Sequence, residues 1–140
     1  MAYNCLILGA SYGSLLGTKI LMAGHDVTLV CRQRTADLIN SQGTKVRLQL
    51  RGENQYRTIE SKDLPGKLDA CSPQDLTPSD YDLVGLAMQE PQYAHHTIRT
   101  VMIRIAEEKI PCVSIMNMPP LTFLKRIPGL NTSSLGASYT

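Results

Sequence analysis

YNCLILGASYGSLLGTKILMAGHDVTLVC, residues 3 to 31, carries the pattern that decides the fold. Its first six residues are an apolar run with no period of their own, as expected of a strand buried on both faces. Gly9 ends the run. From Gly13 to Met22 the apolar residues Leu15, Leu16, Ile20 and Leu21 recur at helical spacing, with Lys19 off that face, so a helix is predicted there. Ala23-Gly24-His25-Asp26 supplies a glycine stop and a turn. Residues 27 to 31 then read as a second buried strand. Strand, glycine-bearing turn, helix and strand within about 30 residues make a βαβ unit with a right-handed crossover.

Working outward, Ala36 to Ser41 reads as a short helix closed by Gly43. Val46, Leu48 and Leu50 alternate with Arg47, Gln49 and Arg51, the period of a half-exposed strand. Gly52-Glu53-Asn54 turns the chain, and Tyr56 to Ile59 returns as a hairpin partner. Residues 61 to 80, rich in Pro, Asp, Ser and Lys, are expected to be mostly loop. Asp82 to Met88 forms a third buried strand. Pro91 suits the first turn of a helix running to Glu108, with Ile98, Val101, Met102 and Ile105 as its apolar face. Residues 111 to 116 are the last clear strand, and beyond Pro119-Pro120 the periodicity is lost. The succession predicts an α/β fold with an open, mostly parallel sheet and helices on both faces.

Bulk composition narrows the function. The 140 residues are 43% hydrophobic and 19% charged, ordinary for one globular domain. A net charge of +2 gives no reason to expect nucleic acid. No run of about 18 apolar residues occurs, so no membrane span is expected. The N-terminus lacks the basic region of a signal peptide, and a cytoplasmic protein is the expectation. Cys5, Cys31, Cys71 and Cys112 are scattered, which suits buried free thiols in a reducing compartment. The histidines, two of them adjacent at His95 and His96, have no metal-ligand spacing, so no metal site is expected.

In an open α/β sheet, ligands bind beyond the carboxyl ends of the strands, where the strand order reverses. The turn Gly9-Ala10-Ser11-Tyr12-Gly13 is the first loop at that edge. Glycines there let backbone N–H groups approach a pyrophosphate, and the helix N-terminus favours the anion. The turn departs from G-x-G-x-x-G, because Ser11 stands at the second glycine and Gly13 comes one residue early. A turn whose glycines serve only close packing is the plainer account. The next connection adds information. NAD-binding folds place Asp or Glu near the end of the second strand to hold the ribose 2′-hydroxyl. This chain has Cys31-Arg32-Gln33-Arg34. An arginine fork can instead pair with a 2′-phosphate, which favours NADP over NAD. Two solvated surface arginines need no ligand, and that alternative stays open.

GSLLG, AGHDVTLVCR, ADLINSQGTKVRL, DYDLVGLAM and VSIMN, in that order, resemble the N-terminal domain of ketopantoate reductases, also called 2-dehydropantoate 2-reductases. The resemblance implies a Rossmann-like NADP-binding domain over residues 1–118. It also implies NADPH-dependent reduction of a keto acid, ketopantoate, to pantoate in pantothenate biosynthesis. On this alignment Gly9 and Gly13 are the family's first and third glycines, with Ser11 or Tyr12 replacing the middle one in a turn one residue short. Gln89 stands where the family carries a lysine. Asn117 matches the family's asparagine, but Met118 replaces the glycine that follows it. The cofactor contacts so implied are Gly9, Ala10, Ser11, Tyr12, Gly13, Arg32, Gln33, Arg34, Gln89 and Asn117.

The family's catalytic lysine and substrate-binding acid lie in a helical second domain of on the order of 100–150 residues. Residues 119–140 read as a linker toward such a domain, so no catalytic residue is assigned here, and this chain by itself is expected to be inactive. A homodimer is an open possibility. Three alternatives remain: a stand-alone NADP-binding or sensing module, the cofactor domain of a reductase for another small keto or imino substrate, and a scaffold with a degenerate site.

Overall fold

The computed structural model describes residues 1–115 and 121–133. In chain order the elements are β1 (Asn4–Leu8), α1 (Ala10–Met22), β2 (Asp26–Val30), α2 (Gln33–Gln42), β3 (Lys45–Gln49), β4 (Tyr56–Glu60), β5 (Leu68–Cys71), β6 (Leu83–Leu86), α3 (His96–Glu107), β7 (Cys112–Ser114) and α4 (Leu121–Leu124). One five-stranded sheet has the order β5-β2-β1-β6-β7, and every pairing in it is parallel. The predicted hairpin, β3 with β4, is antiparallel and stands apart from it.

Burial follows the strand period. Cys5 and Ile7 of β1 join Leu21 of α1 and Ile39 of α2 on one face. Leu6 and Leu8 join Val101 and Ile105 of α3 on the other. The unbroken apolar run of β1 is therefore explained by a sheet with helices on both faces. Each such side chain, removed fully from water, contributes about 1.5–3 kcal/mol.

Helix α1 begins at Ala10, three residues before the predicted start at Gly13. Gly9 alone reverses the chain, at φ 103°, and leaves no loop behind it. Gly13 and Gly17, not Leu15, seat the helix on the sheet. A β-carbon built on Gly13 would lie 2.7 Å from Ile7 Cγ2, and one on Gly17 would lie 3.3 Å from Val27 Cγ1. Leu15, expected on the apolar face, is 45% exposed.

Residues 61–80 are mostly loop and turn, as expected, but a strand the sequence did not suggest, β5, lies within them and pairs with β2. Its outer edge is closed by a side chain of α2. Asn40 Nδ2 donates to the Ala70 carbonyl at 2.9 Å, and Asn40 Oδ1 accepts the Ala70 N–H at 2.8 Å. The helix expected from Pro91 is instead a 3-10 turn, Glu90–Ala94, a break at extended His95, and then α3. Ile98, Val101 and Ile105 of α3 are buried as expected. Among the cysteines Cys5 is buried, Cys31 and Cys71 are half-buried, and Cys112 is exposed because β7 is an edge strand.

Candidate functional site

Leu8 sits in register with both Val30 and Leu86, so β2, β1 and β6 end together at one carboxyl edge. The chain moves outward from β1 through β2 to β5, then returns to β6 and β7 on the other side. The reversal therefore lies between β1 and β6, and Gly9 occupies it. The Gly9 N–H donates to the Val30 carbonyl at 2.9 Å, and the Ala87 N–H donates to the Leu8 carbonyl at 3.0 Å. A β-carbon on Gly9 would lie 2.8 Å from both the Ala87 carbonyl oxygen and Met88 Cγ. With its positive φ as well, this position is closed to any side chain.

Ala10, Ser11, Tyr12 and Gly13 form the first turn of α1, which no side chain caps. The N–H groups there have no partner within the helix and carry the positive end of its dipole. Ser11 and Tyr12 are exposed, whereas Gly13 is buried against Ile7. Gly9 and Gly13 thus do the work of a tight turn and of close helix–strand packing. The middle glycine's position carries a serine with its β-carbon.

Helix α2 opens at the same edge, directly after β2. Arg32 is its N-cap residue, in extended conformation, and no side chain caps the turn. The Cys31 N–H donates to the Cys71 carbonyl at 3.0 Å and fixes the exit from β2. Gln33 Nε2 donates to Asp37 Oδ1 at 2.8 Å. Arg32 and Arg34 are exposed, and neither forms an ion pair among the described residues. The nearby thiols are poor nucleophiles at neutral pH. Burial pushes Cys31 upward, and burial, reinforced by Cys31, Asp75 and Asp69, pushes Cys71 up to about 11.

Gln89 follows β6 and is exposed. Side chains from the 3-10 turn tie down the backbone that carries it. The Met88 N–H donates to Tyr93 Oη at 3.1 Å, and the Gln89 N–H donates to Gln92 Oε1 at 3.0 Å. Tyr93 is half-buried, and burial raises its phenol, with the Met88 N–H acting in the opposite sense. No sequence pattern pointed to Tyr93, whose role depends on the turn folding back. Asn117, also expected here, lies outside the described residues. The other predicted contacts, Gly9 to Gly13, Arg32 to Arg34 and Gln89, all stand at the carboxyl edge.

Residues 5–102 match the family model described as Ketopantoate reductase PanE/ApbA. The chain belongs to the ketopantoate reductase family. Two solved structures share its fold. A proposed 2-dehydropantoate 2-reductase from Enterococcus faecalis aligns at 20% identity and TM-score 0.54, covering 89% of this chain and 38% of its own. A proposed ketopantoate reductase from Ralstonia solanacearum aligns at 23% identity and TM-score 0.58, covering 89% of this chain and 35% of its own. The chain thus spans little more than a third of either. Among curated proteins none matches it.

The ketopantoate reductase family fold also has an amino edge, and a cavity of about 240 Å³ opens there between Asn4, Asp26, Thr28, Asp69, Asp80 and Tyr81. Lys67 also lines it, with its Nζ 3.3 Å from Asp69, so three carboxylates face one cation already paired, a poor setting for a phosphate-bearing ligand. Two neighbouring carboxylates are engaged structurally: Asp26 accepts the Lys67 N–H at 2.7 Å, and Asp82 accepts the Asn4 N–H at 2.8 Å. Among the described residues no group of three or more His, Cys, Asp and Glu side chains could hold a metal ion, and no helix is long and apolar enough to cross a membrane. The carboxyl edge carries two uncapped helix N-termini and two unpaired guanidiniums among the described residues, so positive charge collects there.

Proposed function

We propose that the chain binds NADP(H) across this carboxyl edge, as the cofactor domain of a reductase of the ketopantoate reductase family. The reading rests on one observation above the rest. Arg32, unpaired among the described residues, opens α2 at the strand end where an NAD-binding fold would carry a carboxylate. Its planar fork suits a 2′-phosphate, which a carboxylate would repel. The open first turn of α1 suits the pyrophosphate, with Ser11 offering a hydroxyl in place of the closer backbone approach that glycine allows.

When bound, the cofactor supplies a hydride, and the parent reaction is NADPH-dependent reduction of 2-dehydropantoate to pantoate in pantothenate biosynthesis, in the cytoplasm. Such a reduction also needs a proton donor and a positive group beside the carbonyl oxygen. Gln89 is neutral and can only lend hydrogen bonds. It supplies neither, so turnover draws on other groups, and the keto acid is chosen by them.

Titration calorimetry with NADPH and NADH on the chain and on Arg32→Ala tests the reading. NADPH is expected to bind more tightly, and Arg32→Ala to weaken NADPH alone by about 1.5–3 kcal/mol, the worth of a hydrogen bond to a charged group. An unchanged preference in the variant would remove Arg32 from the role.

A further inference from the structure

Among the described residues the last rung between β6 and β7 is the Ile115 N–H donating to the Leu86 carbonyl at 3.2 Å. Two residues on, the Met88 N–H is taken not by β7 but by the phenol oxygen of Tyr93, at 3.1 Å. The Tyr93 phenol reaches that N–H from the α3 side, its ring packed with Leu86 and Met88 against the core around Leu8 and Val84. Met88 in turn lies against Gly9, the hinge at which α1 begins. The neighbouring Gln89 N–H is held by Gln92 Oε1. Seven residues after the end of β6, Tyr93 thus takes the Met88 N–H in place of β7 and fixes the backbone at the far wall of the crevice. Its oxygen accepts the Met88 bond, and its own O–H has no acceptor among the described residues.

We infer that Tyr93 is a positioning residue for the nicotinamide half of the dinucleotide. This rests on the reading that the crevice holds such a cofactor. In that fold the ribose 2′ position lies at the end of the second strand, here beside Arg32, and the dinucleotide crosses the reversal to the other half of the sheet. The nicotinamide half therefore lies over β6 and β7, against the segment that Tyr93 holds. Arg32 and Tyr93 act on opposite ends of one ligand. Losing the phenol oxygen frees Met88 and Gln89 to move, and the adenosine end has no contact with either.

The test compares Tyr93→Phe with the unaltered chain by titrating NADPH and, separately, adenosine 2′,5′-bisphosphate, which keeps the 2′-phosphate and lacks nicotinamide. Amide hydrogen exchange at Met88 and Gln89 is read without ligand. The ring stays in place in this variant, and a thermal melt confirms that it is folded. Faster exchange at Met88, an NADPH affinity lower by about tenfold and an unaltered bisphosphate affinity are expected. Equal losses for both ligands would make Tyr93 a general structural residue and overturn the inference. So would an unaltered NADPH affinity. If the unaltered chain binds the bisphosphate and NADPH equally well, nothing holds the nicotinamide half, and the inference fails while the Arg32 reading stands. If it binds neither, the cofactor reading itself fails and takes the inference with it.

Discussion

At the scale of single residues, the glycines with close neighbours divide by what a methyl group would meet. A β-carbon on Gly66 would lie 2.0 Å from the His25 carbonyl oxygen, and the Gly66 N–H is bonded to the Leu21 carbonyl at 3.1 Å. Backbone stands on both sides, so nothing can yield cheaply. Gly66→Ala is expected to destabilise the fold by about 3 kcal/mol, at the upper end of overpacking costs. Gly17 differs, because its β-carbon would meet only side chains, Val27 Cγ1 at 3.3 Å, Ile7 Cδ1 at 3.5 Å and Leu29 Cδ2 at 3.7 Å, and alanine gains about 1 kcal/mol of helix propensity. Gly17→Ala is therefore expected to be near neutral. Urea denaturation of both variants checks the contrast, and equal midpoints would contradict it. Gly9 and Gly13 were visible in the sequence as candidates for a phosphate turn. That such glycines serve close packing was the plainer account of the sequence, but Ile7 as the partner of Gly13 was not legible, because the distance depends on where α1 sits on the sheet.

At the scale of elements, the two edges of the sheet are finished differently. Asn40 of α2 pairs with both backbone groups of Ala70 and acts as a substitute strand along β5. At the other edge, β7 leaves Val113 43% exposed. Asn40→Ala would strip Ala70 of both partners in a part-buried place, so a loss of about 1–3 kcal/mol is expected. The uncovered strand should also promote self-association, since an open edge is a template for pairing. Denaturation and light scattering read the two effects, and a variant as stable and monodisperse as the parent would contradict the edge-capping role. This device explains why β5 was illegible. Four residues, Leu68 to Cys71, sit in a stretch dominated by Pro, Asp and Ser, and their partner is a helix side chain and not a sequence pattern. Strands β1, β2 and β6 were legible because burial on both faces demands unbroken apolar runs, and β3 because one wet face demands alternation. The break at His95 was hidden because Gln92 and Tyr93 look helical until they turn back onto Met88 and Gln89.

At the scale of the whole molecule, the parallel sheet sorts its charges between two ends. The carboxyl edge gathers the open turns of α1 and α2 with Arg32 and Arg34, while the amino edge gathers Asp26, Asp69 and Asp80 around its cavity. The order β5-β2-β1-β6-β7 produces this arrangement, since parallel strands bring every strand-to-helix connection to the same end. The central claim is that a dinucleotide lies across the carboxyl edge at Gly9, with its 2′-phosphate at Arg32. Backbone amide chemical shifts of the chain, followed by NMR as NADPH is added, test it most directly. The expected result is saturable shifts at Gly9 to Gly13, Arg32 to Arg34, and Met88 and Gln89, with the amino edge unaffected. Shifts centred instead on Asp26, Thr28, Lys67, Asp69 and Tyr81 would contradict it.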